Sequence, residues 1–92
     1  MTVDAHAYDV VISVAGHDRG KLYMVIAQQD NRLLLTDGRL RRQDHPKRKS
    51  PRHVRVVLQG DRAPRTDREI RNALKSAAVS AAAKEEQYLG ES

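Results

Sequence analysis

Residues 9–36 read DVVISVAGHDRGKLYMVIAQQDNRLLLT, and the alternation within this stretch decides the fold. Residues 9–14 are short and β-branched, the composition of a strand. Val10, Ile12 and Val14 are expected on one face, with Asp9, Val11 and Ser13 on the other. Residues 15–20 interrupt the pattern with two glycines and a turn-forming Asp18. Strand character resumes over residues 21–27, where Leu22, Met24 and Ile26 share a face. Gln29-Asp30-Asn31 supplies a tight turn, because Asp and Asn tolerate the left-handed region, and residues 32–36 form a third strand. Asp37-Gly38 is a favoured type I′ hairpin pair, which predicts a short fourth strand at residues 39–41.

Beyond this stretch, residues 42–52 contain two Pro and no apolar period, so they read as a loop. His53 to Leu58 is the last strand, with Val54, Val56 and Leu58 alternating. Five short strands joined by hairpin turns predict a small closed barrel or meander, closure being the way a small chain removes exposed edges. The tail changes in kind. Thr66-Asp67-Arg68-Glu69 matches a capping box, in which Thr66 accepts from the amide of Glu69 and Glu69 reaches back to the cap. Ile70, Ala73, Leu74, Ala77, Ala78, Ala81 and Ala82 then follow one helical face, Asp67 and Glu69 suit the helix dipole, and Gly90 is a stop. A helix is predicted over residues 67–88, with residues 60–65 as a hinge. The organisation is therefore a β unit over 1–60 and a hinge plus Ala-rich helix over 61–92.

Composition narrows the function. The 92 residues contain no run of about 18 apolar residues, and the N-terminus lacks the basic-then-apolar layout of a signal peptide. The expectation is a cytoplasmic protein with no membrane partner. With no Cys, disulfide scaffolds, thiolate zinc sites and Cys nucleophiles are excluded. The net charge of +5 is unevenly spread: residues 39–65 hold ten Lys/Arg against two Asp/Glu, while residues 1–38 hold three against five and residues 66–92 four against five. A block of this kind marks a contact surface for a polyanion, the alternative being a solvated loop that keeps the chain soluble.

At residues 10–26, VVISVAGHDRGKLYMVI resembles a KOW motif, the β-turn-β unit of several large-subunit ribosomal proteins and of elongation factors of the NusG type. Its near-obligatory glycine would be Gly20, preceding Lys21. The continuation TDGRLRRQDHPKRKSPRHV is similar to small bacterial KOW-domain RNA-binding proteins, which are related to archaeal and eukaryotic ribosomal proteins. The resemblance spans about residues 8–56 and implies an SH3-like barrel that associates with RNA, ribosomal RNA of the large subunit in particular. The helix after residue 65 departs from the short KOW unit, and nothing is carried onto it.

The residues suit such a partner. Gly16 and Gly20 allow positive φ or close approach of a phosphate backbone, with the simple turn as the other reading. His17, Arg19 and Lys21 surround that loop and can bond phosphate or sugar oxygens, whereas Asp18 would repel phosphate and is expected to bond its own turn backbone. Arg39, Arg41, Arg42, Lys47, Arg48, Lys49, Arg52 and Arg55 form the electrostatic footprint, with Arg39 and Arg41 on one strand face beside a loop carrying Lys47–Lys49. Five to seven contacts to single-stranded-like RNA predict a slope of log K against log salt of roughly −3.5 to −5. Only Tyr8, Tyr23 and Tyr88 could stack on bases, which favours structured RNA recognised through backbone and shape. The four His residues lack metal-ligand spacing, and no nucleophile elbow, phosphate loop or dinucleotide fingerprint occurs, so no enzymatic activity, cofactor or metal is expected. The helix is expected to cover an open side of the barrel, with a second copy or a ribosomal protein as other partners. The alternative function is an SH3-like protein–protein interaction module of the translation or transcription machinery, in which the helix docks.

Overall fold

A computed structural model describes the backbone of residues 5–90 and the side chains of residues 5–80. Five strands form one antiparallel sheet: β1 (Val10–Ser13), β2 (Leu22–Gln29), β3 (Arg32–Thr36), β4 (Lys47–Lys49) and β5 (Val54–Leu58), followed by α1 (Asp67–Gly90). The order across the sheet is β4-β3-β2-β1-β5. The molecule is mainly β and barrel-like, but the predicted closure does not occur: β4 and β5 are the two ends of the ladder. A 3₁₀ turn at Pro51–His53 leads from one to the other, capped by Ser50, whose hydroxyl accepts from the amide of Arg52 at 3.4 Å.

The interior is Val11, Tyr23, Val25, Leu33 and Leu35, with Ala5, Val54 and Val56 against them. The expected alternation holds, and it leaves two apolar faces to be covered. Both faces of β1 and β2 are apolar, and the alternation seen first in the sequence, Val10 with Met24, is the outer face. Those two residues pair across β1 and β2 and are buried on the side opposite the interior cluster. The helix packs on β2, β1 and β5, and Ile70 and Ala77 are lost to solvent there. Two bulges disturb the strict period: Ile26 is extra where β2 meets β3, and Val57 where β5 meets β1. Bulges of this kind bend and twist a strand, curling a short sheet around a small interior.

Two hairpin expectations have opposite outcomes. Asp30 and Asn31 both take positive φ, 52° and 62°, and close a two-residue loop between paired Gln29 and Arg32. Asp37-Gly38 does not start a hairpin, and residues 39–41 are not a strand. The Asp37 carboxylate accepts from the amides of Arg39 and Arg41, at 2.8 and 2.9 Å, which folds the chain into a compact loop. The fourth strand lies instead at Lys47–Lys49, inside the segment expected to be a loop, with Leu33 opposite Lys49 and Leu35 opposite Lys47. An apolar period could not reveal it, because charge holds it in place.

The helix begins as the capping box requires, with Thr66 Oγ1 accepting from the amide of Glu69 at 3.2 Å. Glu69 reaches back one residue further than expected, accepting from the amide of Arg65 at 3.1 Å. The predicted face is buried at Ile70 and Ala77 and partly buried at Ala73 and Leu74, whereas Ala78 is exposed; Ala81 and Ala82 fall outside the described side chains. The expected hinge is anchored at its start, where the amide of Gly60 donates to buried Asp9 at 3.1 Å. Among the described residues, no helix is long and apolar enough to cross a membrane.

Candidate nucleic-acid interface

Three segments meet at one end of the sheet: the β1–β2 loop (residues 14–21), the loop after β3 (residues 37–43) and β4 with its 3₁₀ turn. Asp18 draws the first and third together. Its carboxylate is 9 % exposed and lies 2.8 Å from Lys47 Nζ and 2.7 Å from Lys49 Nζ. It also accepts from Ser13 Oγ at 2.8 Å and from Tyr23 Oη at 3.0 Å. Lys49 Nζ donates further to the carbonyl of Ala15 at 2.9 Å, and the amide of Val14 donates to the carbonyl of His53 at 2.9 Å. The expectation that Asp18 merely bonds its own turn is thus corrected. It is the ionic centre on which a glycine-containing loop and the edge strand converge.

Asp37 plays the matching part on the other side. Besides the amides of Arg39 and Arg41, it pairs with Lys21 at 3.4 Å. The loop it organises is tied to the helix: Arg71 donates to the carbonyl of Gly38 at 2.7 Å, and Asp67 accepts from the amide of Gln43 at 3.2 Å and lies 3.4 Å from Arg42 Nε.

These contacts set the protonation states. Burial alone would raise the Asp18 carboxyl, but the hydrogen bonds from Lys47, Lys49, Ser13 and Tyr23 outweigh it and hold the group well below the usual carboxylate range. Burial also opposes ionisation of Asp37, and the Arg39 and Arg41 amides with Lys21 again lower it. Burial, followed by its hydrogen bond to Asp18, pushes the Tyr23 phenol well above its ordinary value. Both carboxylates are therefore charged, and Tyr23 neutral, throughout the physiological range.

The expected contact residues divide into two sets. Lys21, Arg42, Lys47 and Lys49 are paired with the chain's own acids. Lys47 and Lys49 in particular point toward Asp18, which corrects their placement on a free cationic loop. Arg19, Arg39, Arg41, Arg48 and Arg52 are exposed, with no ion pair among the described residues. Arg39 and Arg41 lie together on the loop after β3 rather than on a strand face. Arg55 is exposed on β5, at the other end of the ladder from β4. Gly16 has φ +86°, and a Cβ there would lie 3.6 Å from both Asp18 Oδ1 and Lys49 Nζ. Gly20 has φ +89° and open space where a Cβ would project, so the left-handed backbone dictates the residue and the loop surface stays bare.

Residues 16–21 and 37–52 together hold nine Lys/Arg against three Asp, so internal pairing leaves a clear cationic excess at this end. Sequence reasoning missed the organising roles of Tyr23, Asp37 and Arg71. A signal existed for Asp18: Lys47 and Lys49 stand two residues apart, the spacing that puts both amines on one side of a strand. No protein-family model matches the chain, and no curated protein matches it.

Proposed function

We propose that this chain is a non-enzymatic, cytoplasmic RNA-binding protein of KOW type that associates with ribosomal RNA. The observation that supports this most is that Asp18 and Asp37 tie together the β1–β2 loop, the loop after β3 and β4. On these segments Arg19, Arg39, Arg41 and Arg48 are exposed without an ion pair among the described residues, with exposed Arg52 in the turn that follows. Guanidinium groups bind phosphate oxygens in bidentate fashion, and a scaffold that fixes their loops lowers the entropy lost on docking. The KOW resemblance of residues 10–26 is the ground for choosing RNA among polyanions. Contacts run from side chains to the sugar–phosphate backbone, and sequence readout is slight.

The test uses the exposed arginines. Lys47 and Lys49 are unsuitable, since reversing their charge beside Asp18 would crowd carboxylates in a buried place and unfold the site. A variant with Arg39, Arg41, Arg48 and Arg52 changed to Gln should keep the wild-type circular dichroism spectrum and melting temperature. It should lose co-sedimentation with large ribosomal subunits and binding to ribosomal RNA fragments. With five arginines on phosphates, the salt slope of the wild type should be about −3.5 for single-stranded-like RNA and about −4.5 for helical RNA. Undiminished binding by the variant would refute the electrostatic reading. Association that survives complete RNase digestion would transfer the function to the protein-interaction alternative.

A further inference from the structure

The loop after β3 carries an apolar side chain for which phosphate binding has no use. Leu40 is 81 % exposed and stands between Arg39 and the pair Arg41-Arg42. The backbone beneath it is firmly tied. The carbonyl of Arg41 accepts from the amides of Asp37 and Gly38, at 2.9 and 3.3 Å, and from the hydroxyl of Thr36. Asp37 holds the amides of Arg39 and Arg41 from within the loop, while Arg71 and Asp67 hold Gly38 and Gln43 from the helix. Gly38 has φ +74°, and a Cβ there would lie 2.5 Å from the carbonyl oxygen of Asp67, so loop and helix touch through bare backbone. Leu40 is thus presented outward on a preformed support.

We infer that Leu40 is a wedge that meets the face of an unstacked base, so that the preferred RNA is a helix interrupted by an unpaired nucleotide. This rests on the RNA reading above. A continuous A-form duplex offers the leucine little: its major groove is too deep and narrow for side chains, and its minor groove displays hydroxyls. An unpaired nucleotide turns an apolar ring face outward between two phosphates, the arrangement that Leu40 flanked by the exposed Arg39 and Arg41 complements. Leucine is among the apolar wedges that proteins press against base steps, flanked by arginine. Because the loop is already ordered, burying the side chain translates into affinity, on the order of tenfold.

The experiment measures equilibrium binding of the full chain to two labelled RNA hairpins of equal length. One has a fully paired stem, and the other carries a single bulged 2-aminopurine whose emission reports its stacking. The wild type should prefer the bulged hairpin by about tenfold, with a change in 2-aminopurine emission. Leu40→Ala should bind the two hairpins equally and melt at the wild-type temperature. The Arg39→Gln, Arg41→Gln double variant should weaken both hairpins alike. Equal binding of the two hairpins by the wild type, or a preference that survives Leu40→Ala, overturns the wedge and leaves RNA binding standing. Failure to bind either hairpin overturns the RNA reading and the wedge with it. Leu40-dependent binding to phosphatidylglycerol vesicles, with no preference between hairpins, assigns the side chain to a lipid surface and overturns the wedge as well.

Discussion

Replacing Asp18 by Asn removes one charge from the centre of the proposed interface and barely alters its shape. The carboxylate is 9 % exposed and answers Lys47 and Lys49, at 2.8 and 2.7 Å, together with two hydroxyl donors. Lys47, at 28 % exposure, can turn its amine toward water, whereas Lys49, at 10 %, stays enclosed with only neutral acceptors, the Ala15 carbonyl and the new amide oxygen, and no counter-charge. Removing one partner of a buried ion pair costs about 3–5 kcal/mol. The freedom of Lys47 places the expected loss near the lower end, about 3 kcal/mol. A domain of this length has roughly 5–14 kcal/mol in total, so the loss is a large share of it. The melting temperature should fall by about 12–24 °C. Urea unfolding followed by far-UV circular dichroism measures the difference, with the denaturant slope unchanged. In a cycle with Lys49→Met, the double variant should be at least about 1 kcal/mol more stable than the summed single losses require. An Asp18→Asn loss within about 0.5 kcal/mol of wild type, or strict additivity in the cycle, would refute the assignment of Asp18 as ionic centre.

Three further outcomes are expected. Asp18 and Asp37 titrate below their ordinary value of 3.8, so their contribution is complete above that pH and is lost as the pH falls through the folded-state values. Tyr23 lies above its ordinary value of 10.0, so its contribution is complete below pH 10.0 and is lost as the pH rises beyond it. Urea midpoints across pH should therefore fall at both extremes, with a flatter acid limb in Asp18→Asn. Gly38→Ala should destabilise by about 1–3 kcal/mol from positive φ alone, and by more from collision with the Asp67 carbonyl, as read by thermal melting. Ile70→Ala, at a side chain with no exposure, should cost about 2–5 kcal/mol by chemical denaturation.

What the sequence revealed and what it hid follow from the range of the forces involved. The Asp30-Asn31 turn, the three strands around it and the Thr66 cap are set by neighbours a few residues away, and each could be read from local chemistry. Strand β4 depends on Asp18, some thirty residues earlier, so Lys47-Arg48-Lys49 with no apolar partner looked like solvated loop. Asp37-Gly38 carried a hairpin signal that its own side chain overrode by capturing two downstream amides. The alternation set Val10 apart from Val11 and grouped Met24 with its face neighbours, but which face a helix would cover was not legible, because that depends on the distant packing of α1 against β1 and β2. For the candidate site, the cationic segment was legible, and its division into a paired set that includes Arg42, Lys47 and Lys49 and an unpaired set of exposed arginines was not: pairing depends on which acids the fold delivers.

The open ladder leaves β4 as a terminal strand, and its brevity has a consequence for solubility. Three residues, with Pro46 immediately before, Pro51 two positions after and Arg48 exposed between the inward-turned lysines, give a neighbouring chain too few amides to template on and a charge to meet at the rim. The protein can therefore dispense with sealing that rim and still resist stacking into fibrils through it.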